Sequence, residues 1–237
     1  LVIREQLSME DMKAITRRSY DQQAMLMSGS HLFSRRSSQL IKRAFDVVVA
    51  SFLLLFLAPA LLVLWWMASR DGGKALYGHQ RVGQNGKSFT CYKFRTMVAN
   101  ADERLTQLLA TSEQAQLDWE DDFKLEQDPR VTAVGSFLRS TSLDKLPQLW
   151  NVLRGDMSMV GPRPLMAVEL ERYATHAAYY LAAKPGITGL WQAEGRRGND
   201  YRTRAYYDVQ YVNRWTLWSD SRILCKAASQ LLCDKSR

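Results

Sequence analysis

VVVASFLLLFLAPALLVLWWMA, residues 47–68, runs for 22 residues with only Ser51 and Pro59 breaking its apolar character. A helix of that length crosses the hydrocarbon of a bilayer. The stretch shows no polar face and is longer than most core helices, which argues against a buried helix of a soluble protein. Basic residues flank both ends, with Arg35, Arg36, Lys42 and Arg43 before it and Arg70 and Lys74 after it. Lys and Arg next to a membrane segment favour the cytoplasmic side, so both ends are expected there. Pro59 lies near the middle, where a proline deletes one backbone hydrogen bond and clashes with the preceding turn. A helix that enters, breaks at Pro59 and returns satisfies both observations. A kinked spanning helix is the alternative, since proline is tolerated in membrane helices whose freed carbonyls find partners.

Outward from this segment the chain is basic, with a formal net charge of +8 over 237 residues. That suits a partner bearing negative charge: nucleic acid, a phosphate ligand or an anionic leaflet. Cys91, Cys225 and Cys233 form no CxxC pair, so neither a zinc site nor a disulfide framework is indicated. Towards the N-terminus, Met9–Met27 has helical character and Ser28–Ser38 is a polar linker. The sequence begins at Leu1 without a signal-peptide pattern and reads as a piece of something longer.

Downstream, Tyr77–Met97 places Asn85-Gly86 between two runs of alternating apolar residues, a hairpin signal because both turn positions favour positive φ. Arg81, Lys87, Lys93 and Arg95 are candidate phosphate contacts there. Residues 99–125 are polar and helix-prone, a surface helix pair. In Asp128–Pro164, Ser142 or Asp144 is expected to cap a helix with Pro147 in its first turn and Leu146, Leu149, Trp150 and Leu153 on one face, ending at Gly155. Asp144 then sits at a helix N-terminus, where the dipole favours a carboxylate and attracts phosphate. Lys184–Gln192 reads as a Pro-Gly turn and a short strand, followed by Arg196, Arg197 and Arg204 around a polar loop. From Tyr206 to Leu232, apolar and aromatic residues recur at helical spacing. They suit either an interfacial helix or one packed on the domain.

Several runs in order carry a resemblance: Lys42-Arg43-Ala44-Phe45-Asp46, Gln80-Arg81-Val82-Gly83, Lys93-Phe94-Arg95-Thr96-Met97, Ser142-Leu143-Asp144, Leu146-Pro147-Gln148-Leu149, Gly155-Asp156-Met157-Ser158, Gly161-Pro162-Arg163-Pro164 and Pro185-Gly186-Ile187-Thr188-Gly189. Over residues 40–232 the chain resembles the bacterial sugar-transferase family, and is most similar to the C-terminal catalytic domain of undecaprenyl-phosphate galactose or glucose phosphotransferases. The resemblance implies an α+β, mainly helical, monotopic membrane protein with a Pro59-broken re-entrant helix over about residues 45–69, amphipathic interface helices and a small β-hairpin. Residues 1–39 are then a linker or the end of a preceding domain, and 40–237 the catalytic domain.

The implied activity is transfer of a hexose 1-phosphate, galactose favoured, from a UDP-sugar to undecaprenyl phosphate through an aspartyl phospho-sugar, releasing UMP. Such a step opens O-antigen, capsule or exopolysaccharide synthesis at the cytoplasmic face of the inner membrane. Asp144 is the implied nucleophile and Mg²⁺ ligand. Lys93, Arg95, Arg139, Pro162 and Arg163 are the implied phosphate and nucleotide contacts, and Lys42, Arg43 and Pro59 belong to the membrane segment. UDP-sugar, undecaprenyl phosphate and membrane lipid are the implied partners, a homodimer is compatible, and nucleic acid is not expected because no binding motif for it is present. Two positions depart from the family pattern. Lys145 stands where the family has glutamate, and Ala58 precedes Pro59 where it often has serine. Lys145 keeps open a second reading, a catalytically impaired UDP-sugar-binding membrane module.

Overall fold

The computed structural model describes residues 36–70, 73–122, 125, 128–173, 176–194 and 201–233. The expected helix Met9–Met27, most of the linker after it and the Arg196-Arg197 loop lie outside these residues. The described chain is mainly helical with small β elements, an α+β arrangement. It divides into two compact units.

The apolar run forms α1 (Arg36–Phe56) and α2 (Ala58–Ser69), separated by Leu57 alone. The proline is in the first turn of α2, where its missing N–H has no intrahelical partner to lose. The helix α1 starts well before the expected position 45. No single described helix is long and apolar enough to cross a membrane; α1 and α2 as a bent pair meet the length and composition together.

The first unit takes in residues 36–56, 78–91 and 148–233 of the described chain. Besides α1 it holds the tip of the hairpin formed by β1 (Leu76–Val82) and β2 (Ser88–Phe94), then α6 (Gln148–Arg154), β3 (Ser158–Val160), α7 (Ala167–Glu171), α8 (Ala177–Ala182), β4 (Gly186–Thr188), α9 (Leu190–Ala193), α10 (Tyr201–Asn213) and α11 (Leu217–Cys233). At the hairpin tip Asn85 and Gly86 have φ of 57° and 74°, the left-handed values the Asn-Gly pair predicted. The strands β3 and β4 pair in parallel, Ser158 opposite Gly186 and Val160 opposite Thr188, a pairing the sequence reading did not contain. Glycine makes it feasible, because a Cβ on Gly161 would lie 2.3 Å from the Lys184 carbonyl and one on Gly186 2.1 Å from the Gly161 nitrogen. Tyr173, Tyr180, Leu165, Leu170 and Leu181 form the core beside Val82.

The first turns of α1 hold this unit together. Lys42, 8% exposed, donates through Nζ to Asp220 on α11 at 2.6 Å and to the Val160 carbonyl on β3 at 3.1 Å. Asp220 also accepts from Tyr211 at 2.9 Å and from Trp215 at 3.0 Å. One turn on, Asp46 accepts from the Ser158 hydroxyl and the Met159 amide, both at 3.0 Å. Arg43 donates to the Val152 and Leu153 carbonyls at the end of α6, where the helix leaves acceptors without intrahelical partners. The C-terminal helices therefore pack on the domain through Tyr211, Trp215 and Ile223, while Trp218 stays 71% exposed.

The second unit, residues 57–77 and 92–147, contains α2, α3 (Ala101–Thr111), α4 (Glu113–Asp122) and α5 (Ala133–Ser140). The helix pair expected over 99–125 is α3 and α4. Leu64, Ala68, Ala75, Phe94 and Leu138 make this unit's core. Thr132 caps α5 by accepting from the Gly135 amide at 2.9 Å.

Replacing Lys42 with Met is expected to cost about 3–5 kcal/mol, because it strands Asp220 as a buried unpaired carboxylate. Adding Asp220→Asn to Lys42→Met is expected to recover much of that loss. Unfolding in detergent monitored by circular dichroism checks both, and equal stability of wild type and Lys42→Met would contradict the structural role.

Candidate active site

Within the second unit the candidate nucleophile sits in a tight turn. Asp144 is the central residue of a 3₁₀ turn, Leu143–Lys145, and is 9% exposed. The helix expected to begin at Ser142 or Asp144 begins at Gln148 instead, which corrects the placement of Asp144 at a helix N-terminus. Pro147 accounts for the difference: with no N–H it cannot donate back to Leu143, so helical hydrogen bonding cannot run through from the turn. Ser142 has φ 57° and caps nothing with its side chain. Its hydroxyl instead accepts from Lys145 Nζ at 3.2 Å.

Arg139, in the last turn of α5, feels the charge of the same carboxylate. Its Nε donates to Thr96 Oγ1 at 2.9 Å. Burial lowers the pKa of its guanidinium, while Asp128 and Asp144 raise it. Close backbone packing sets this geometry: a Cβ on Gly135 would fall 1.9 Å from the Thr96 carbonyl, so only glycine allows α5 to lie on the chain after β2. Lys93 is half-buried on β2. Arg95 donates to the Ala68 carbonyl of α2 at 3.0 Å and its guanidinium packs on Gly73, so its charge faces acceptors at the end of α2.

Within the first unit, Pro162 and Arg163 follow β3. The Pro162 carbonyl accepts from the Gly186 amide at 2.8 Å and the Gly161 amide donates to Thr188 at 2.9 Å, which fixes the turn on which Arg163 is carried. Burial and then the neighbouring Arg204 lower the pKa of the Arg163 guanidinium, with Glu169 opposing them. Arg81 ion-pairs with Glu169 at 2.8 Å and reaches the Pro164 carbonyl at 3.3 Å. Arg204, 2% exposed, lies over the rings of Trp191 and Tyr201 at 4.9 Å each, and its Nε has no acceptor among the described residues. Four residues later Asp208 accepts from Tyr173 at 3.0 Å, and burial pushes its carboxyl up to about 7.

Asp144, Lys145 and Arg139 thus come together in one unit, and Arg163, Arg81, Arg204 and Glu169 in the other. Lys42 and Arg43 are held by internal partners in the first unit, and Pro59 opens α2. Glu169, Asp208 and Asp220 were not singled out in the sequence. The i, i+4 spacing of Arg204 and Asp208 was the available signal. Asp220, an acid among Tyr and Trp residues, was another, because such a group needs a buried cation.

The bacterial sugar transferase model matches residues 37–234. The chain is 54% identical over 213 residues to the undecaprenyl-phosphate galactose phosphotransferase of Salmonella typhimurium LT2, covering 90% of this chain and 45% of the relative. It is 49% identical over 186 residues to the exopolysaccharide production protein ExoY of Rhizobium meliloti 1021, covering 78% of this chain and 82% of that one. Identity to the UDP-glucose:undecaprenyl-phosphate glucose-1-phosphate transferase of Escherichia coli K12 is 38% over 197 residues, 79% of this chain and 39% of the relative. The chain thus spans less than half the length of the first and third of these relatives.

Asp208 makes stability depend on pH. Its folded pKa of about 7 lies above its ordinary value of 3.8. The folded state therefore holds a proton that the unfolded state has released, and stability falls as pH rises from about 4 to about 7. At about 1.4 kcal/mol per pKa unit the contribution is on the order of 4 kcal/mol. Asp208→Asn is expected to flatten this decline, measured as unfolding midpoints at pH 5 and pH 8 for variant and wild type. An unchanged slope would contradict the burial argument.

Proposed function

The chain belongs to the bacterial sugar transferase family, and from that premise we propose that it moves a hexose 1-phosphate from a UDP-sugar onto undecaprenyl phosphate. Galactose 1-phosphate is the favoured group, since the Salmonella typhimurium relative at 54% identity carries that name. The observation that carries the reading is Asp144, largely buried in its turn, within the electrostatic reach of the Arg139 guanidinium. No described residue hydrogen-bonds that carboxylate, so its lone pairs are available for attack.

The chemistry is a double displacement. An oxygen of Asp144 attacks the phosphorus that carries the sugar, the bond from that phosphorus to the bridging oxygen breaks, and UMP leaves with the electron pair. A phosphate oxygen of undecaprenyl phosphate then attacks the same phosphorus, and the Asp144 carboxylate is released. Covalent catalysis divides one difficult transfer into two easier ones. Cationic side chains offset the repulsion between an anionic nucleophile and an anionic diphosphate. Arg139 serves this role beside Asp144, and Arg163, carried on its own turn with no acceptor among the described residues, is assigned to substrate phosphate.

The donor set fits Mg²⁺ held mainly by substrate. Among the described residues no three His, Cys, Asp or Glu side chains converge; Asp144 is the protein carboxylate that would hold Mg²⁺ here, together with oxygens of the substrate. When bound, the ion supplies neutralisation of the diphosphate charge.

Membrane attachment belongs to the same proposal. The helix α1 exposes Leu40, Ile41, Val48, Phe52, Leu55 and Phe56, and α2 exposes Leu62, Val63, Trp65 and Trp66. Such faces are stable in lipid rather than water. Their bent pairing and the basic flanks support re-entry from the cytoplasmic face of the inner membrane.

Asp144→Asn is expected to abolish UMP release from UDP-galactose with or without the lipid acceptor, because an amide cannot form the acyl phosphate. Lys145→Ala is expected to lower turnover less than about tenfold, since its ammonium donates to the Ser142 hydroxyl within the turn and an ammonium cannot take the nucleophile's place. Full activity in Asp144→Asn would rule out this nucleophile. UDP-galactose binding without UMP release in the wild type would favour the impaired binding module that Lys145 suggests.

A further inference from the structure

In the second unit Arg139 lies within electrostatic reach of two carboxylates, and Asp128 acts on its guanidinium more strongly than Asp144 does. The charge that the proposed chemistry needs beside Asp144 therefore has a rival claimant. That rival is already occupied. Arg130, 5% exposed, donates to Asp128 through Nε at 2.7 Å, through Nη2 at 2.8 Å and through its backbone amide at 3.0 Å. Such a two-pronged arginine–carboxylate pair is among the stronger hydrogen-bonded contacts a protein makes. The Arg130 guanidinium also lies over the Trp119 ring at 5.2 Å, which holds the clamp from its other face.

Arg139 itself is tied at one atom. Its Nε donates to Thr96 Oγ1, and its Nη groups donate to no acceptor among the described residues. The hydroxyl that takes this bond sits on fixed backbone. The Thr96 carbonyl accepts from the Thr132 amide at 3.1 Å, Met97 bridges Val131, and the Val98 amide donates to the Arg130 carbonyl at 2.9 Å. The close approach of Gly135 presses the same residue onto α5. An exposed arginine otherwise samples many rotamers, at about 2 kcal/mol of side-chain entropy. A bond at Nε fixes the plane of the guanidinium and leaves both Nη groups to meet an anion.

We propose that Thr96 is a positioning residue for the reaction at Asp144. Its hydroxyl holds the Arg139 guanidinium by Nε and reserves the Nη groups for the anionic partners of the transfer, while the Arg130 clamp keeps Asp128 from capturing them. Thr96 acts through Arg139 and needs no contact with the reacting atoms. The inference rests on the proposed function in taking Asp144 as nucleophile and Arg139 as the cation beside it. The role belongs to the hydroxyl and not to the bulk of the side chain. Valine has the same branching without the acceptor, and serine keeps the acceptor without the methyl group. Because Arg139 is exposed, water can take the bond that valine gives up, so the fold loses little while the orientation is lost.

UMP release from UDP-galactose, with Mg²⁺ and undecaprenyl phosphate, is measured for wild type, Thr96→Val, Thr96→Ser, Arg139→Gln and the double variant Thr96→Val/Arg139→Gln. Thr96→Val is expected to lower kcat/KM about tenfold, the scale of a misdirected catalytic contact. Thr96→Ser is expected to keep most of the wild-type value. In the Arg139→Gln background Thr96→Val is expected to cost nothing further, because the hydroxyl has lost the group through which it acts. A loss that persists in that background, or a Thr96→Ser variant as slow as Thr96→Val, would show that Thr96 serves the fold and overturns the proposal. So does equal kcat/KM in wild type and Thr96→Val. A wild type that releases no UMP sinks the proposed function and this role with it, whereas an active wild type without coupling between positions 96 and 139 sinks this role alone.

Discussion

The buried pair between Lys42 and Asp220 is the constraint on which the first unit depends. At 2.6 Å, with Asp220 fully buried, neither charge has solvent to fall back on, and the Val160 carbonyl, Tyr211 and Trp215 complete their hydrogen bonding. An ion pair of this kind contributes little net stability over an apolar pair, but breaking it on one side is costly. Its effect is to fix position. A helix whose outer face is almost entirely apolar has no register against the domain except what a few polar anchors impose, and Lys42, Arg43 and Asp46 impose it on α11, α6 and β3. From β3 the chain passes directly to Gly161 and the Pro162-Arg163 turn, so the same anchors position Arg163, the residue proposed to meet substrate phosphate.

Seen this way, the excess of basic residues has two uses. Lys42, Arg43 and Arg95 reach acceptors inside their own units, as does Arg130, which is paired with Asp128 at 2.7 Å. Arg139, Arg163 and Lys184 have their pKa values lowered chiefly by burial. Cations in that condition gain most from an incoming phosphate, which supplies the charge that burial has denied them. A net charge of +8 therefore overstates what is available for ligands.

Features with a strong local cause were legible in the sequence. The apolar run, the Asn85-Gly86 hairpin turn and the paired helices over 99–125 each follow from periodicity or from a residue with a special backbone preference. The three-residue strands β3 and β4 were not equally legible: β4 was readable after its Pro-Gly turn, but β3 lies between Asp156 and Gly161 with no alternation to reveal it, and their parallel pairing depends on a non-local crossing of two glycines. The capping preference of Ser142 and Asp144 points to a helix start there, but the missing N–H of Pro147 defers α6 to Gln148. The basic residues before the apolar run were read as flanks of a membrane segment, yet Lys42 and Arg43 are held inside the fold; only the position of Asp220 in three dimensions could reveal that partner. Of the proposed site, Asp144 and Arg163 are named by the family motifs. Arg204, Glu169 and Asp208 acquire meaning only where the fold gathers them.

Mass spectrometry of the protein after incubation with UDP-galactose and Mg²⁺, with no lipid acceptor, addresses the proposed chemistry most directly. A hexose-phosphate adduct on the peptide carrying Asp144, discharged when undecaprenyl phosphate is added, is the predicted result. An adduct on another residue, or UMP accumulating while Asp144 stays unmodified, would contradict it.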